Sequence, residues 1–167
     1  MKKNYWLIFH VVLVVTQAHA QTDATITTII LVRHAEKGPE GNDPELQPEG
    51  LDRAVKLAAV LKKTKVDAIY STNYRRTKHT VTPLAQQNNL EVQVYDARQS
   101  DVIATVLNNH KGGTVVICGH SNTVPHMANT LTGKEEYKNF DDGDYGNLMI
   151  VSVVEKGKVA KVTWLTY

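Results

Sequence analysis

The fold of this chain is decided by Ile29-Ile30-Leu31-Val32-Arg33-His34-Ala35-Glu36, where an apolar run passes directly into an arginine, a histidine and a carboxylate. Four consecutive large apolar residues predict a strand buried on both faces, with Arg33 and His34 at its carboxyl end. Open α/β sheets bind their ligands at that edge. An imidazole can act as a nucleophile or an acid–base group, and a guanidinium fits phosphate or carboxylate oxygens. The pair therefore indicates chemistry on an anion.

The composition is that of a chain that can bury one substantial core. It has 167 residues, of which 42% are hydrophobic and 22% are charged, and nothing in the pattern indicates a second domain. The formal net charge is +2, and without Lys2 and Lys3 the chain has 17 basic and 17 acidic residues. This balance argues against a nucleic-acid partner or an acidic membrane surface.

The first residues have the pattern of an export signal. A basic start at Lys2-Lys3 precedes an apolar run at residues 5–15, and Ala18-His19-Ala20 has the small-x-small shape of a cleavage site. Because the apolar run is too short to span a bilayer, we predict a signal peptide at residues 1–20 and a single domain at residues 21–167. The product is then periplasmic or secreted, with no stable membrane insertion after cleavage. The alternative is an uncleaved membrane anchor.

The remaining chain alternates apolar strands with amphipathic helices. This alternation predicts a three-layer α/β/α sandwich with a mostly parallel central sheet. Strands are expected at residues 26–32, 66–70, 91–95, 114–118, 148–154 and 159–165, and helices at residues 48–64, from 73, from a cap at Ser100, and at 123–131.

The same patterns bear on one proline, the cysteine and the buried face of the first helix. Pro83 is expected to interrupt or restart the second helix. The single cysteine, Cys118, lies in an apolar strand and is expected to be a buried small hydrophobe without a disulfide. The buried face of the first helix is predicted from residues at helical spacing, which are Leu51, Ala54, Val55 and Ala58 with Leu57 or Leu61.

Polar residues follow the other strands at the same predicted edge. The segment 71–80 places hydroxyl groups and two arginines at the start of a helix, which is a typical anion site. The third strand ends at Asp96, and Gly119-His120-Ser121 follows the fourth. Because the carboxyl ends of parallel strands meet, we expect His34, His120 and at least one arginine to lie together.

After residue 20, the chain resembles a known family over nearly its whole length. The order and spacing of three segments are similar to the motifs of the histidine phosphatase superfamily, also called phosphoglycerate mutase-like, and the compact size is similar to its short SixA-like branch. These segments are Leu31-Val32-Arg33-His34-Ala35-Glu36, Ser71-Thr72 followed by Arg76 and Thr80, and Gly119-His120-Ser121.

The resemblance implies roles for individual residues. His34 would be the nucleophile that takes the phosphoryl group, and Arg33, Arg76 and His120 would bind its oxygens. Arg76 is preferred to Arg75 because the family's arginine stands four residues before a threonine, here Thr80. Such a cluster supplies the field that phosphoryl transfer needs without a metal or another cofactor.

The proton donor for the leaving group is less well defined. In one branch of the family an aspartate directly follows the second histidine, but Ser121 stands there in this chain. We predict Asp96 as the acid because it follows the third strand, with Glu36 and Asp144 as alternatives. The loop at residues 133–147 either shapes access to the site or is a solvated connection.

These residues predict an exported, metal-independent phosphatase. Its partner would be a small phosphorylated substrate or a phosphoprotein, hydrolysed as a phosphomonoester or phosphoramidate through a phosphohistidine on His34. One alternative is a non-catalytic protein of the same fold that binds phosphorylated ligands. A second is an esterase with Ser121 as nucleophile, but Thr123 replaces the last glycine of the G-x-S-x-G pattern, and His126 is too close to act as base.

Overall fold

Six strands form one sheet in the computed structural model, which describes residues 24–98 and 102–167. The strands are β1 (Thr27–Arg33), β2 (Ala68–Thr72), β3 (Val92–Tyr95), β4 (Thr114–Gly119), β5 (Asn147–Glu155) and β6 (Val159–Thr166). Their order is β3-β2-β4-β1-β5-β6. The first four strands are parallel, and β5 is antiparallel to both β1 and β6. The predicted mostly parallel sheet is confirmed.

Helices cover both faces of this sheet. They are α1 (Pro48–Val60), α2 (Arg75–Asn88), α3 (Val102–Asn109) and α4 (Thr123–Thr132). The helices α1 and α2 pack on one face through residues such as Leu57 and Leu84, and α3 and α4 pack on the other through Val106 and Leu131. The three-layer α/β/α sandwich is therefore confirmed. No helix in the described part of the chain is long and apolar enough to cross a membrane.

The buried face of α1 differs from the prediction. Leu51 and Val55 are 52% and 60% exposed, whereas Ala54, Leu57 and Ala58 are buried. The apolar residues of α1 cover more than one face of the helix, so helical spacing alone does not show which of them are buried. The contact with α2 and the sheet selects the side that carries Leu57.

The prediction that Pro83 interrupts α2 is also wrong. The helix continues from Arg75 to Asn88 with Pro83 inside it. Proline has no N–H to donate to the carbonyl of His79 four residues earlier, so one hydrogen bond of the helix is missing. Val81 and Leu84 are fully buried on either side of it. Their packing against the core stabilises the helix in spite of the missing bond.

The structure tests the prediction for Cys118 but not those for residues 1–20 and Ser100. Cys118 is a free cysteine with no exposed surface, as predicted. Residues 1–20, assigned to a signal peptide, and the predicted cap Ser100 lie outside the described residues. The division into residues 1–20 and 21–167 therefore stays a prediction.

Candidate active site

The two histidines meet because their strands are neighbours. Arg33 at the end of β1 pairs in register with Gly119 at the end of β4. The backbone N–H of His34 continues this pairing by donating to the Gly119 carbonyl at 2.9 Å. The rings of His34 and His120 consequently lie with their centroids 5.5 Å apart. The structure thus brings together the residues that the strand-end argument expected to be close.

The His34 imidazole is held in one tautomer. Its Nδ1 lies 2.8 Å from the Ala35 carbonyl, which can only accept a hydrogen bond, so Nδ1 carries the proton and Nε2 keeps its lone pair. Burial lowers the pKa of His34 to about 3, and the nearby His120, Arg33 and Arg76 lower it further, against the opposing effect of the Ala35 bond. His34 is therefore neutral at physiological pH and has a free nucleophilic nitrogen.

Arg33 is buried and bound by a distant loop. Its Nη1 donates to the carbonyls of Asp141 at 2.7 Å and Asp144 at 2.9 Å. The ring of Tyr145 lies against the guanidinium, 4.3 Å from centroid to Cζ. The loop at residues 133–147 therefore reaches the site, which favours the first of its two interpretations. The Arg33 Nε is buried and has no acceptor in the described part of the protein.

Arg76, at the start of α2, approaches the histidines from the other side. Its guanidinium lies 4.2 Å from the ring centroid of Tyr74, and its Nη1 is 3.9 Å from the carboxylate of Asp43. Its Nε is also buried without an acceptor among the described residues. The neighbouring Arg75 is instead more than half exposed and pairs with Glu45. Arg76 rather than Arg75 is placed to bind an anion beside the histidines.

His120 is linked to the protein by a chain of hydroxyl groups. Thr77 donates to a backbone carbonyl of Thr72 or Tyr74 and accepts from the Thr72 hydroxyl. The Thr72 oxygen can then accept from His120 Nε2 at 3.0 Å. Burial, followed by Arg76 and Arg33, lowers the pKa of His120 to about 4. An anion bound between these groups would oppose that shift and favour the protonated imidazole.

Thr80 connects the nucleophile's segment to α2. Its fully buried hydroxyl accepts from the Ala35 N–H at 2.8 Å and donates to the Arg76 carbonyl at 2.7 Å. We expect Thr80→Val to lower the free energy of unfolding by about 1–3 kcal/mol, because the Ala35 N–H is then buried without an acceptor. Denaturant unfolding measures this effect.

Thr82→Val is a matched control for this change. The Thr82 hydroxyl makes the same bond to the carbonyl four residues earlier, Lys78 at 2.8 Å, but is only partly buried. Equal losses of stability in the two variants would contradict the cross-link that we assign to Thr80.

The three candidate acids lie in different surroundings. Asp96 lies beside the site, but its ion pair with Arg98 lowers its pKa to about 2, so it is ionised at neutral pH. Glu36 accepts several hydrogen bonds from Arg53, which lower its pKa as well. Asp144 turns its backbone carbonyl toward Arg33. The assignment of the acid to Asp96 stays a prediction.

A cavity of about 880 Å³ opens next to His120 and Arg76. It offers space for the part of a ligand that extends beyond a bound anion. Asp96 and Arg98 are on its wall, together with Thr72, Asn73, Tyr74, Val94, Tyr95, Ala97, Asn122 and Thr123.

Sequence reasoning did not identify the groups that hold these side chains. Arg53 of α1 joins Glu36 to the backbone carbonyl of Tyr167, which it contacts at 2.7 Å. The sequence does not single out Tyr74, nor Tyr145 within the loop at residues 133–147. Only Tyr74 has a sequence signal, its place directly before Arg75 and Arg76, and an aromatic residue next to an arginine is too common to be diagnostic.

The part of the chain that the structure describes shows neither a cluster of metal ligands nor a serine–histidine pair at Ser121. Within residues 24–98 and 102–167, no three His, Cys, Asp or Glu side chains are grouped as metal ligands. In the same part of the chain, no hydrogen bond joins Ser121 to a histidine. The fold and site together define an α/β protein with a pair of histidines and a pair of arginines at the carboxyl edge of its sheet, suited to an oxyanion.

Comparisons with known proteins agree with this description. The profile of the Histidine phosphatase superfamily (branch 1) matches residues 29–97. Phosphoserine phosphatase 1 of Hydrogenobacter thermophilus is 41% identical over 71 residues, which are 38% of this chain and 34% of that protein. The chain therefore matches only about a third of the length of that relative.

Solved structures show the same fold. A mycobacterial glucosyl-3-phosphoglycerate phosphatase has a TM-score of 0.69 and 15% identity, covering 85% of this chain and 98% of its own. The protein histidine phosphatase SixA, complexed with tungstate, has a TM-score of 0.67 and 16% identity, covering 83% and 96%. Residues 29–97 are therefore similar to the histidine phosphatase superfamily, and the chain has the phosphoglycerate mutase-like fold of these solved phosphatases.

Proposed function

We propose that this protein is a phosphatase that forms a phosphohistidine on His34. The observation that carries the proposal is the neutral imidazole of His34, with Nε2 unprotonated, beside the buried Arg33 and the partly buried Arg76. A neutral Nε2 can attack phosphorus, and Arg33 and Arg76 can neutralise the charge on the phosphoryl oxygens. The phosphatase names of the relatives support the same reaction class.

The reaction proceeds in two displacements. Nε2 of His34 forms a bond to phosphorus while the bond from phosphorus to the leaving oxygen or nitrogen breaks, and the leaving atom takes up a proton. Water then attacks the phosphohistidine, gives its proton to solvent or a nearby base, and releases inorganic phosphate with the neutral imidazole restored. The first displacement is easier than direct attack of water on the substrate because the imidazole is already positioned, and the second is easier because the neutral imidazole is a good leaving group.

The ionised state of Asp96 favours one type of substrate. A carboxyl group with a pKa of about 2 carries little proton at neutral pH. The leaving group then departs with little help from an acid, which disfavours alkyl alcohols and favours phosphoramidates or aryl esters. The substrate would be a small phosphorylated molecule or a phosphoprotein, with the adjoining cavity receiving its leaving group.

An assay with and without a metal chelator tests the reaction class. We expect the mature chain to release phosphate from p-nitrophenyl phosphate and from phosphohistidine, with undiminished rates in chelator because cationic side chains bind the oxygens. Loss of activity in chelator would contradict metal independence. Tight binding of inorganic phosphate without turnover of either substrate would support the alternative of a non-catalytic binding protein.

Export of the protein is a separate proposal. It is supported by the basic start, the short apolar run and the Ala18-His19-Ala20 site of the sequence. The enzyme would then act in a periplasm or outside the cell on phosphorylated compounds found there. Amino-terminal sequencing of the exported protein would place the cleavage site, which we expect after Ala20.

A further inference from the structure

The guanidinium of Arg33 has only part of its donor groups available to a ligand. Its Nη1 is occupied by the carbonyls of Asp141 and Asp144. The groups that remain are Nε, which is buried without an acceptor in the described part of the chain, and Nη2. These two nitrogens form one edge of the guanidinium, and that edge presents two parallel N–H groups with the spacing of two phosphate oxygens.

The plane of this edge is set by Tyr145. Its ring lies 4.3 Å from Arg33 Cζ, and its centroid is 5.9 Å from that of His34. A ring in contact with a guanidinium is attracted to its charge and opposes rotation out of the contact. Tyr145 therefore contacts both the candidate nucleophile and the side chain that would bind the transferred group.

The loop that carries Tyr145 is tied to the second histidine's segment and to β5. The Phe140 N–H donates to the Ser121 carbonyl at 3.0 Å, directly after His120. At the other end, Asn147 Nδ2 donates to the Asp144 carbonyl at 3.3 Å. The position of the ring is thus determined by the same elements that place the histidines.

We propose that Tyr145 is a positioning residue, which holds the Arg33 guanidinium so that its Nε–Nη2 edge binds the phosphoryl oxygens in a bidentate manner. This inference rests on the proposed function for its catalytic consequence, but not for its effect on anion binding. The aromatic ring is the required feature. The hydroxyl group is not, because the contact with Arg33 is made by the ring face.

Binding of inorganic phosphate, measured by calorimetry, tests the inference without turnover. We expect Tyr145→Leu to weaken phosphate binding about 10-fold, the size expected for a partly buried cation–π contact. Tyr145→Phe should bind as the wild type does. Tyr137→Leu is the control, because Tyr137 lies in the same loop but packs on Trp164 rather than on Arg33.

A double-mutant cycle separates positioning from a general structural effect. Lysine lacks the planar pair of N–H donors that Tyr145 would hold in place. In a protein that already carries Arg33→Lys, we therefore expect Tyr145→Leu to weaken phosphate binding by less than about a further 2-fold. The same loss in both backgrounds would overturn the inference, as would equal losses in Tyr145→Leu and Tyr137→Leu. Loss of phosphate binding in Tyr145→Phe would show that the hydroxyl, and not the ring, is required.

Turnover distinguishes this inference from the proposed function. If the wild type hydrolyses p-nitrophenyl phosphate, we expect Tyr145→Leu to lower kcat/KM about 10-fold or more and Tyr145→Phe to preserve it. Wild-type protein that binds phosphate with the predicted coupling but hydrolyses neither test substrate would contradict the phosphatase proposal and leave the positioning role of Tyr145 supported.

Discussion

Replacing His34 by glutamine is expected to lower kcat for p-nitrophenyl phosphate by at least about 10³-fold, because the substituted amide cannot form the covalent intermediate. Arg33 and Arg76 would still bind phosphate, so the affinity for inorganic phosphate should change much less than kcat does. Steady-state kinetics and calorimetry measure the two quantities. Incubation of the wild type with a labelled substrate, followed by quenching, should in addition trap acid-labile phosphate on His34.

The exposed histidine on α4 provides a matched control. His126 is exposed and takes no part in the proposed reaction, so His126→Gln should retain the wild-type rate. Activity that persists in His34→Gln would refute the assignment of the nucleophile. If the wild type and both variants are all inactive, the result favours the alternative of a non-catalytic protein that binds phosphorylated ligands.

Acidification is expected to destabilise the protein well before its carboxylates titrate. The folded-state pKa values of His34 and His120 are about 3 and about 4, below the ordinary value of 6.5. The unfolded chain therefore binds more protons than the folded one as the pH falls through 6.5, and stability is lost in that direction. For two such groups the free energy of unfolding should fall by about 4 kcal/mol between about pH 7.5 and 5.

The variant His34→Gln identifies the origin of this dependence. Because glutamine does not titrate, the free energy of unfolding of the variant should fall only about half as much over the same pH range. This holds whatever the stability of the variant at the higher pH. Denaturant unfolding at several pH values measures it. A slope that is unchanged in His34→Gln would show that this histidine is not kept neutral by the folded protein. The lowered pKa of Glu36 affects stability only at lower pH, as its carboxylate becomes protonated.

The fold could be predicted because its signals are local. The run at residues 29–32 is apolar at every position, as in a strand covered on both faces, and the strand-end rule then places His34 and His120 at one edge. Errors arose where two local interpretations were equally consistent. The face of α1 was misassigned at Leu51 and Val55, and Pro83 was given more weight than the packing around it.

The four side chains of the candidate site could be proposed from the sequence, but their contacts could not. The family resemblance favoured Arg76 over Arg75 through its spacing to Thr80, and the hydrogen bond from Thr80 to the Arg76 carbonyl gives that spacing a physical reason. The carbonyls that bind Arg33 lie 108 and 111 residues away in the chain. No periodicity relates residues at such separations, so their pairing follows only from the folded arrangement.

The sequence by itself determined the class of fold and the edge at which the candidate site lies, because periodicity and strand ends depend on neighbouring residues. Its resemblance to a known family then indicated the four candidate side chains His34, Arg33, Arg76 and His120. Only the tertiary structure decided the lowered pKa values of His34 and His120 and the donor edge of Arg33. Each of these depends on burial and on a partner whose position is set when the sheet, the helices and the connecting loops pack together.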